Sequence, residues 1–174
     1  MLIATGLISL DGYINDSRGV FDWAMPDAEV HSFVNDLERD VSTVLYGRRM
    51  FEIMSFWENV DDDDPIMQDF SRIWRATDKH VFSTTLTEVT TTNTQLHREF
   101  AVPDVEGDVS IGGPTLAASV ADQIDEWRVF LNPVTVGGGT PFFPPNTQLN
   151  LELIDEHRFE SGVRYLAYRP KGEA

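Results

Sequence analysis

Apolar and polar positions along this chain follow two alternating periods. Leu2 to Leu10 is a run of aliphatic and β-branched residues that stops at Asp11-Gly12, a turn pair; this is the pattern of a buried strand. Behind Pro26-Asp27, the residues Val30, Phe33, Val34 and Leu37 recur at helical spacing, which predicts a helix to about Asp40. "STVLY" (Ser42 to Tyr46) reads as a second buried strand, halted by Gly47 and followed by "RRMFEIMSFW". Asp61 to Asp64 is an acidic run before Pro65, and Met67, Phe70, Ile73 and Trp74 then share one side of a predicted helix. Negative charge is favourable at such a helix start, so the run reads as a solvated loop feeding a helix.

"KHVFST" from Lys79 predicts another strand, and "TEVTTTNT" a turn with a short strand. A short helix is expected around Gln95 to Phe100, then a loop through "VPDVEGD". "VSI" (Val109 to Ile111) is a strand, Pro114 to Ala121 a helix, and Asp125 to Val136 a long strand ending on Gly137-Gly138-Gly139. The tail holds two strands, "LNLELIDEHRFE" and "VRYLAYRP", joined near Ser161-Gly162. Repeated strand–helix alternation followed by strands alone predicts an α/β fold. It is a three-layer αβα sandwich with a mixed, mostly parallel central sheet and a C-terminal antiparallel hairpin. No repeat, linker or low-complexity segment divides the chain, so residues 1–174 are read as a single domain.

Composition narrows the chemistry. The 174 residues carry a formal charge of −16. Such a surface repels phosphate backbones, so neither nucleic acid nor an anionic membrane is an expected partner. An anionic ligand would need local positive charge or aligned backbone N–H groups. There is no cysteine, which excludes disulfides, thiolate catalysis and cysteine-ligated metal sites. The start "MLIATGLISLDGYIND" lacks a basic leader and reads as a first strand, so a cytoplasmic location is expected. The histidines at 31, 80, 97 and 157 show no ligand spacing, and the four-Asp run lacks the glycine and alternation of a calcium loop. No metal is expected.

In an open α/β sheet, ligands bind at the carboxyl ends of strands. Three such ends carry anion-friendly residues: Gly47-Arg48-Arg49, Ser83-Thr84-Thr85, and Gly112-Gly113-Pro114-Thr115. Arginine forks match phosphate, hydroxyls donate, and glycines let main chain approach an anion. Each also has a plain reading, as a solvated face or a tight turn. Neither G-x-G-x-x-G nor G-x-x-x-x-G-K-[ST] is present, so the common dinucleotide and P-loop fingerprints do not apply.

Five motifs in order carry a resemblance to a known family: "SLDGYI", "LYGRRMFEIMSFW", "KHVFSTTL", "IGGPTLAASV" and "DEWRVFLNPVTVGGGTPFF". The chain resembles dihydrofolate reductase-like proteins. It is closest to the reductase domain of the bifunctional riboflavin-biosynthesis deaminase/reductase and its small standalone relatives. The resemblance covers nearly the whole chain. It implies an NADPH-dependent reductase of a pyrimidine- or pteridine-like heterocycle, working as a homodimer. Without cysteines the chain carries at most the reductase half, since the zinc deaminase half needs them. The resemblance places Arg48, Arg49, Ser83 and Thr84 at the adenosine 2′-phosphate, with Gly47 at the turn. It places Gly112, Gly113, Pro114 and Thr115 at the pyrophosphate, and implies a cis Gly112–Gly113 peptide. Met50 departs from the pattern, which carries a hydroxyl there.

On the substrate side the resemblance points to a carboxylate at the start of the first helix, Asp27 or Glu29, with Glu29 keeping the spacing to Phe33. Asp11 in the "SLDGY" turn is a further candidate, and Gly137 and Gly138 stand near the nicotinamide. Each has an ordinary alternative: a helix-start acid, an Asp-Gly turn, a flexible strand end. Trp23 and Tyr13 are candidates for stacking on a flat ring or for the core. Dihydrofolate reduction or reduction of a small carbonyl is the enzymatic alternative, and a non-catalytic NADPH-binding module the alternative from another class.

Overall fold

The computed structural model describes residues 1–172. Its main sheet contains β1 (Leu2–Ser9), β3 (Val41–Gly47), β4 (Asp78–Phe82), β5 (Thr94–His97), β6 (Asp108–Gly112), β7 (Glu126–Asn132), β9 (Leu151–Arg158) and β10 (Arg164–Pro170). Two short strands, β2 (Tyr13–Asn15) and β8 (Thr140–Pro141), pair separately. The order across the main sheet is β5-β4-β3-β6-β1-β7-β10-β9. All neighbours are parallel up to β7, and β10 and β9 are antiparallel. The described residues therefore form the predicted mixed sheet with a C-terminal hairpin.

Period-two alternation sends neighbouring side chains to opposite faces. Val44, Tyr46 and Val81 pack with Phe51 of α2 (Arg48–Met54) and with Phe70 and Trp74 of α3 (Pro65–Ala76). Beside them, Val30 of α1 (Ala28–Glu38) meets Phe130, Tyr165 and Ala167. Leu45, Ile111, Trp127 and Val129 point the other way, to Ala117 of α4 (Pro114–Ser119) and to Phe142. Three helices thus cover one face, and α4 with the segments after β5 and β7 covers the other.

Two elements differ from expectation. Residues 95–100 are not a helix. Thr94–His97 is edge strand β5, paired in parallel with β4. His97 stacks on His80 and Phe82 at 4.9 and 5.2 Å between ring centroids, so cross-strand pairing overrides local propensity. The long strand from Asp125 stops at Asn132. The next residue is Pro133, which has no N–H for the ladder. No helix of the described residues is long and apolar enough to cross a membrane.

Candidate active site

The strand order places β6 between β3 and β1, although β6 comes later in the chain. Their carboxyl ends, and that of β4, are therefore neighbours on one edge. Tyr46, the residue before Gly47, lies opposite Gly112. Gly47 caps α2 in an extended conformation, and a Cβ there would sit 3.7 Å from Leu116 of α4. The starts of α2 and α4 thus stand side by side.

The first glycine of the pair is required by this crowding and the second by its backbone conformation. A Cβ on Gly112 would lie 2.7 Å from the Tyr46 ring and 3.2 Å from Met50 Cγ. Gly113 has φ +103°, a left-handed conformation that strains any L side chain. It turns the chain into α4, with Pro114 at the first helical position and Thr115 exposed on the first turn. Every peptide bond among the described residues is trans, so the expected cis Gly112–Gly113 bond is corrected. The positive φ of Gly113 makes the turn instead. The Met50 side chain lies against the diglycine, where the resembling proteins carry a hydroxyl.

The second turn is tied to the first through Arg48. Its Nη1 donates to Thr85 Oγ1 at 3.1 Å, and its Nε donates to Glu52 at 2.8 Å. Arg49 is exposed. Ser83 is buried, and its hydroxyl accepts from the N–H groups of Thr85 and Leu86 at 3.2 and 3.0 Å. Thr84 is exposed beside it. Sequence reading named Ser83 and Thr84 at this turn, whereas the side chain that meets Arg48 is Thr85. It also missed Arg98, whose Nη1 donates to the carbonyls of Ser83 and Leu86 at 2.8 and 2.6 Å. No local pattern marks Arg98, because the contact depends on the pairing of β4 with β5.

The substrate-side candidates do not gather at one point. Asp11 accepts from Ser9 Oγ at 2.6 Å and from the N–H groups of Val136 and Gly137 at 3.1 and 2.8 Å. The Ser9 hydroxyl, helped by these amides, holds its carboxyl below the usual carboxylate range. Asp11 thus latches the end of β1 to the glycine loop after β7. Gly137 and Gly138 have φ +73° and +144° with open space where a Cβ would stand. At Gly139 a Cβ would strike the Asn15 carbonyl, so that glycine is required by close approach of two main chains.

Asp27 caps α1 by accepting from Val30 N–H at 2.9 Å. That bond, with the Ser161 hydroxyl, lowers its pKa. Glu29 is exposed and accepts from Glu160 N–H at 3.0 Å. Both acids therefore face the β9–β10 turn. His31, one turn further along α1, is half-buried against Trp57 and Phe70 at 5.6 Å from each ring. Burial lowers its pKa, opposed by the charge of Asp64. Tyr13 and Trp23 are half-buried, and the Trp23 indole N–H has no hydrogen-bond partner among the described residues. Among the described residues, no group of three or more His, Asp or Glu side chains is placed to hold a metal ion. Two hollows, of about 260 and 310 Å³, are lined by Asp61–Asp63 with Arg72 and Arg75, and by Glu156–Arg158 with Arg164. Neither includes a residue of the three strand-end turns.

Residues 1–105 match the RibD C-terminal domain family, and the chain belongs to that family. It is 27% identical over 177 residues to the uncharacterized protein YyaP of Bacillus subtilis, covering 95% of this chain and 92% of that one. It superposes on the diaminohydroxyphosphoribosylaminopyrimidine deaminase/5-amino-6-(5-phosphoribosylamino)uracil reductase of Thermotoga maritima. That match has a TM-score of 0.71 and 14% identity, over 98% of this chain and 56% of the larger protein. It also superposes on dihydrofolate reductase from Enterococcus faecalis complexed with NADP(H) and RAB-propyl, with a TM-score of 0.63 and 15% identity over 99% and 97% of the two chains. These likenesses show a dihydrofolate reductase-like fold.

Proposed function

We propose that this member of the RibD C-terminal domain family is an NADPH-dependent reductase of a pyrimidine- or pteridine-like heterocycle. The proposed reaction is similar to reduction of 5-amino-6-(5-phosphoribosylamino)uracil, carried out by a cytoplasmic homodimer. One observation carries the reading. Three separate anion-friendly turns meet along one sheet edge, linked by Arg48 to Thr85 and by Met50 to the diglycine. The Enterococcus enzyme of the same fold is complexed with NADP(H), and the Thermotoga protein is named for the uracil reduction.

The turns fit the cofactor on their own chemistry. Gly112 and Gly113 carry no side chain of their own, Tyr46 and Met50 packing on the side where a Cβ of Gly112 would stand, and Thr115 adds an exposed hydroxyl at the first turn of α4. Arg48 and Arg49 offer positive charge in a chain of net −16; guanidinium forks pair well with a terminal phosphate. When bound, the nicotinamide supplies a hydride to an oxidised carbon, C=O or C=N. The protein's part is to hold that carbon in place. A carboxylate accepts two parallel N–H bonds from an N–C–N edge. Glu29 surrenders one amide bond to do so, whereas Asp27 surrenders a helix cap and Asp11 a three-bond latch. Glu29 is therefore the proposed substrate carboxylate. Asp11 acts by fixing the Gly137-Gly138 loop beside the end of β1.

A second reading is a nucleotide-binding module without turnover. The observation behind it is that all three carboxylates already have protein donors. Energy transfer from tryptophan to NADPH reports binding, and loss of NADPH absorbance with pyrimidine, pterin and carbonyl substrates reports turnover. Binding with no oxidation across the panel favours the module, and no binding refutes both readings.

A further inference from the structure

We propose that Arg98 is a positioning residue that sets the preference for a 2′-phosphorylated nicotinamide nucleotide over its unphosphorylated form. The proposal rests on the cofactor reading above and deepens it at the Ser83–Leu86 turn.

Arg98 directly follows His97, the last residue of edge strand β5. The β4–β5 ladder runs on past the strands, with Ser83 N–H donating to the His97 carbonyl at 3.0 Å. That register brings the Arg98 side chain over the turn. One nitrogen, Nη1, donates to both the Ser83 and Leu86 carbonyls, at 2.8 and 2.6 Å. From inside, the Ser83 hydroxyl accepts from the amides of Thr85 and Leu86 and lies 3.3 Å from the Thr85 hydroxyl. The turn is therefore clamped at both of its ends by a cation and in its middle by a buried hydroxyl. Hydrogen bonds with a charged donor are about twice as strong as neutral ones.

What the clamp holds in place is Thr85, the hydroxyl to which Arg48 is docked at 3.1 Å. The other partner of Arg48 is Glu52, on its own helix. If the turn loosens, Arg48 loses that anchor and keeps only its existing pair with Glu52, which draws it along α2. A 2′-phosphate then meets a paired, displaced guanidinium. The rest of the nucleotide, held at the Gly112-Gly113 turn on another strand, is unaffected. Arg98 thus acts through Thr85 and Arg48, and its loss is felt by the 2′-phosphate alone.

The test uses the full chain and three probes: NADPH, NADH and 2′-AMP. Dissociation constants for the two dinucleotides are read by energy transfer from tryptophan, and for 2′-AMP by its displacement of NADPH. Arg98→Ala is expected to weaken NADPH and 2′-AMP by about tenfold, the effect of one charge-assisted contact, and NADH by less than about twofold. Arg98→Lys is expected to recover most of the loss. Arg48→Ala and the Arg48→Ala/Arg98→Ala pair are expected to bind NADPH equally weakly, since the two residues act in series. Amide hydrogen exchange at Thr85 and Leu86 is expected to quicken in Arg98→Ala even without nucleotide. Equal loss for NADPH and NADH overturns the proposal, as does an unchanged preference in Arg98→Ala. If the unaltered protein binds neither dinucleotide, the cofactor reading itself fails and the proposal falls with it.

Discussion

Gly112→Ala is the sharpest probe of the diglycine. The new methyl would stand 2.7 Å from Cδ1 and Cε1 of Tyr46. Carbon atoms settle at about 3.5–4.0 Å, so roughly 0.8 Å must be found. Met50 Cγ, at 3.2 Å, belongs to a flexible side chain and can give way. Tyr46 cannot. It is 4% exposed, and its hydroxyl accepts from the indole N–H of Trp74, itself 3% exposed, at 3.2 Å. Overpacking of this kind costs about 1–3 kcal/mol. For a chain of this size, 2 kcal/mol lowers Tm by roughly 4–8 °C. Calorimetry on Gly112→Ala is expected to show that drop, together with weakened NADPH binding. In a Tyr46→Leu background the ring is gone, and the same substitution is expected to lose less than half as much stability, a coupling between touching residues. An unshifted Tm with unchanged NADPH affinity would refute the crowding argument and the role assigned to the turn. An equal loss in both backgrounds would mean that Tyr46 is not the obstacle.

Lys79 is fully buried, donates to the carbonyls of Trp74 and Thr77 at 2.7 and 2.8 Å, and lies 4.3 Å from the Trp74 ring centroid. Burial lowers its pKa from 10.5 to about 8, opposed by Glu58 and Asp78. Between those values the unfolded chain holds the proton and the folded chain does not, so folding stability rises with pH. Against Lys79→Met, the unaltered protein should gain up to about 3 kcal/mol between pH 7.5 and 10.5 in urea titrations; parallel pH profiles would contradict it. Asp27→Ala removes the α1 cap and should cost about 1 kcal/mol by the same titration, with an unchanged midpoint counting against the cap. Asp11→Asn should speed hydrogen exchange at the amides of Val136 and Gly137, which the latch now protects, and unaltered rates would show that the latch holds nothing.

Much of the fold was legible because its periods are strong. The helical spacing of Val30, Phe33, Val34 and Leu37 and the apolar run at Leu2 have one good interpretation each, and the structure realises both. The stretch from Gln95 to Phe100 was misread. Its four-residue strand is held by ladder bonds and by His97 stacking on Phe82 and His80, and none of these contacts is local. The three turns at the sheet edge were also legible as turns, since Gly47, Ser83 and Gly112 punctuate apolar runs. Their proximity was not, because it follows from β6 returning to a slot between β1 and β3.

By itself, then, the sequence determined the strands and helices whose periods are strong, that cysteine and metal-cluster chemistry were unsupported, and that only local clusters of arginine, hydroxyl and glycine could receive an anion. These follow from residue types and short spacings. Only the tertiary structure decided the partners. It gave Arg48 to Thr85, Arg98 to the Ser83–Leu86 carbonyls, Asp11 to the glycine-loop amides and Glu29 to the hairpin turn. Apart from the dozen residues between Arg98 and its turn, those partners stand tens to more than a hundred residues apart in the chain, and strand order alone brings them within hydrogen-bonding distance. The same order turned Gly112 from a plain turn signal into a position where no Cβ fits, because the Tyr46 ring of another strand already fills that space.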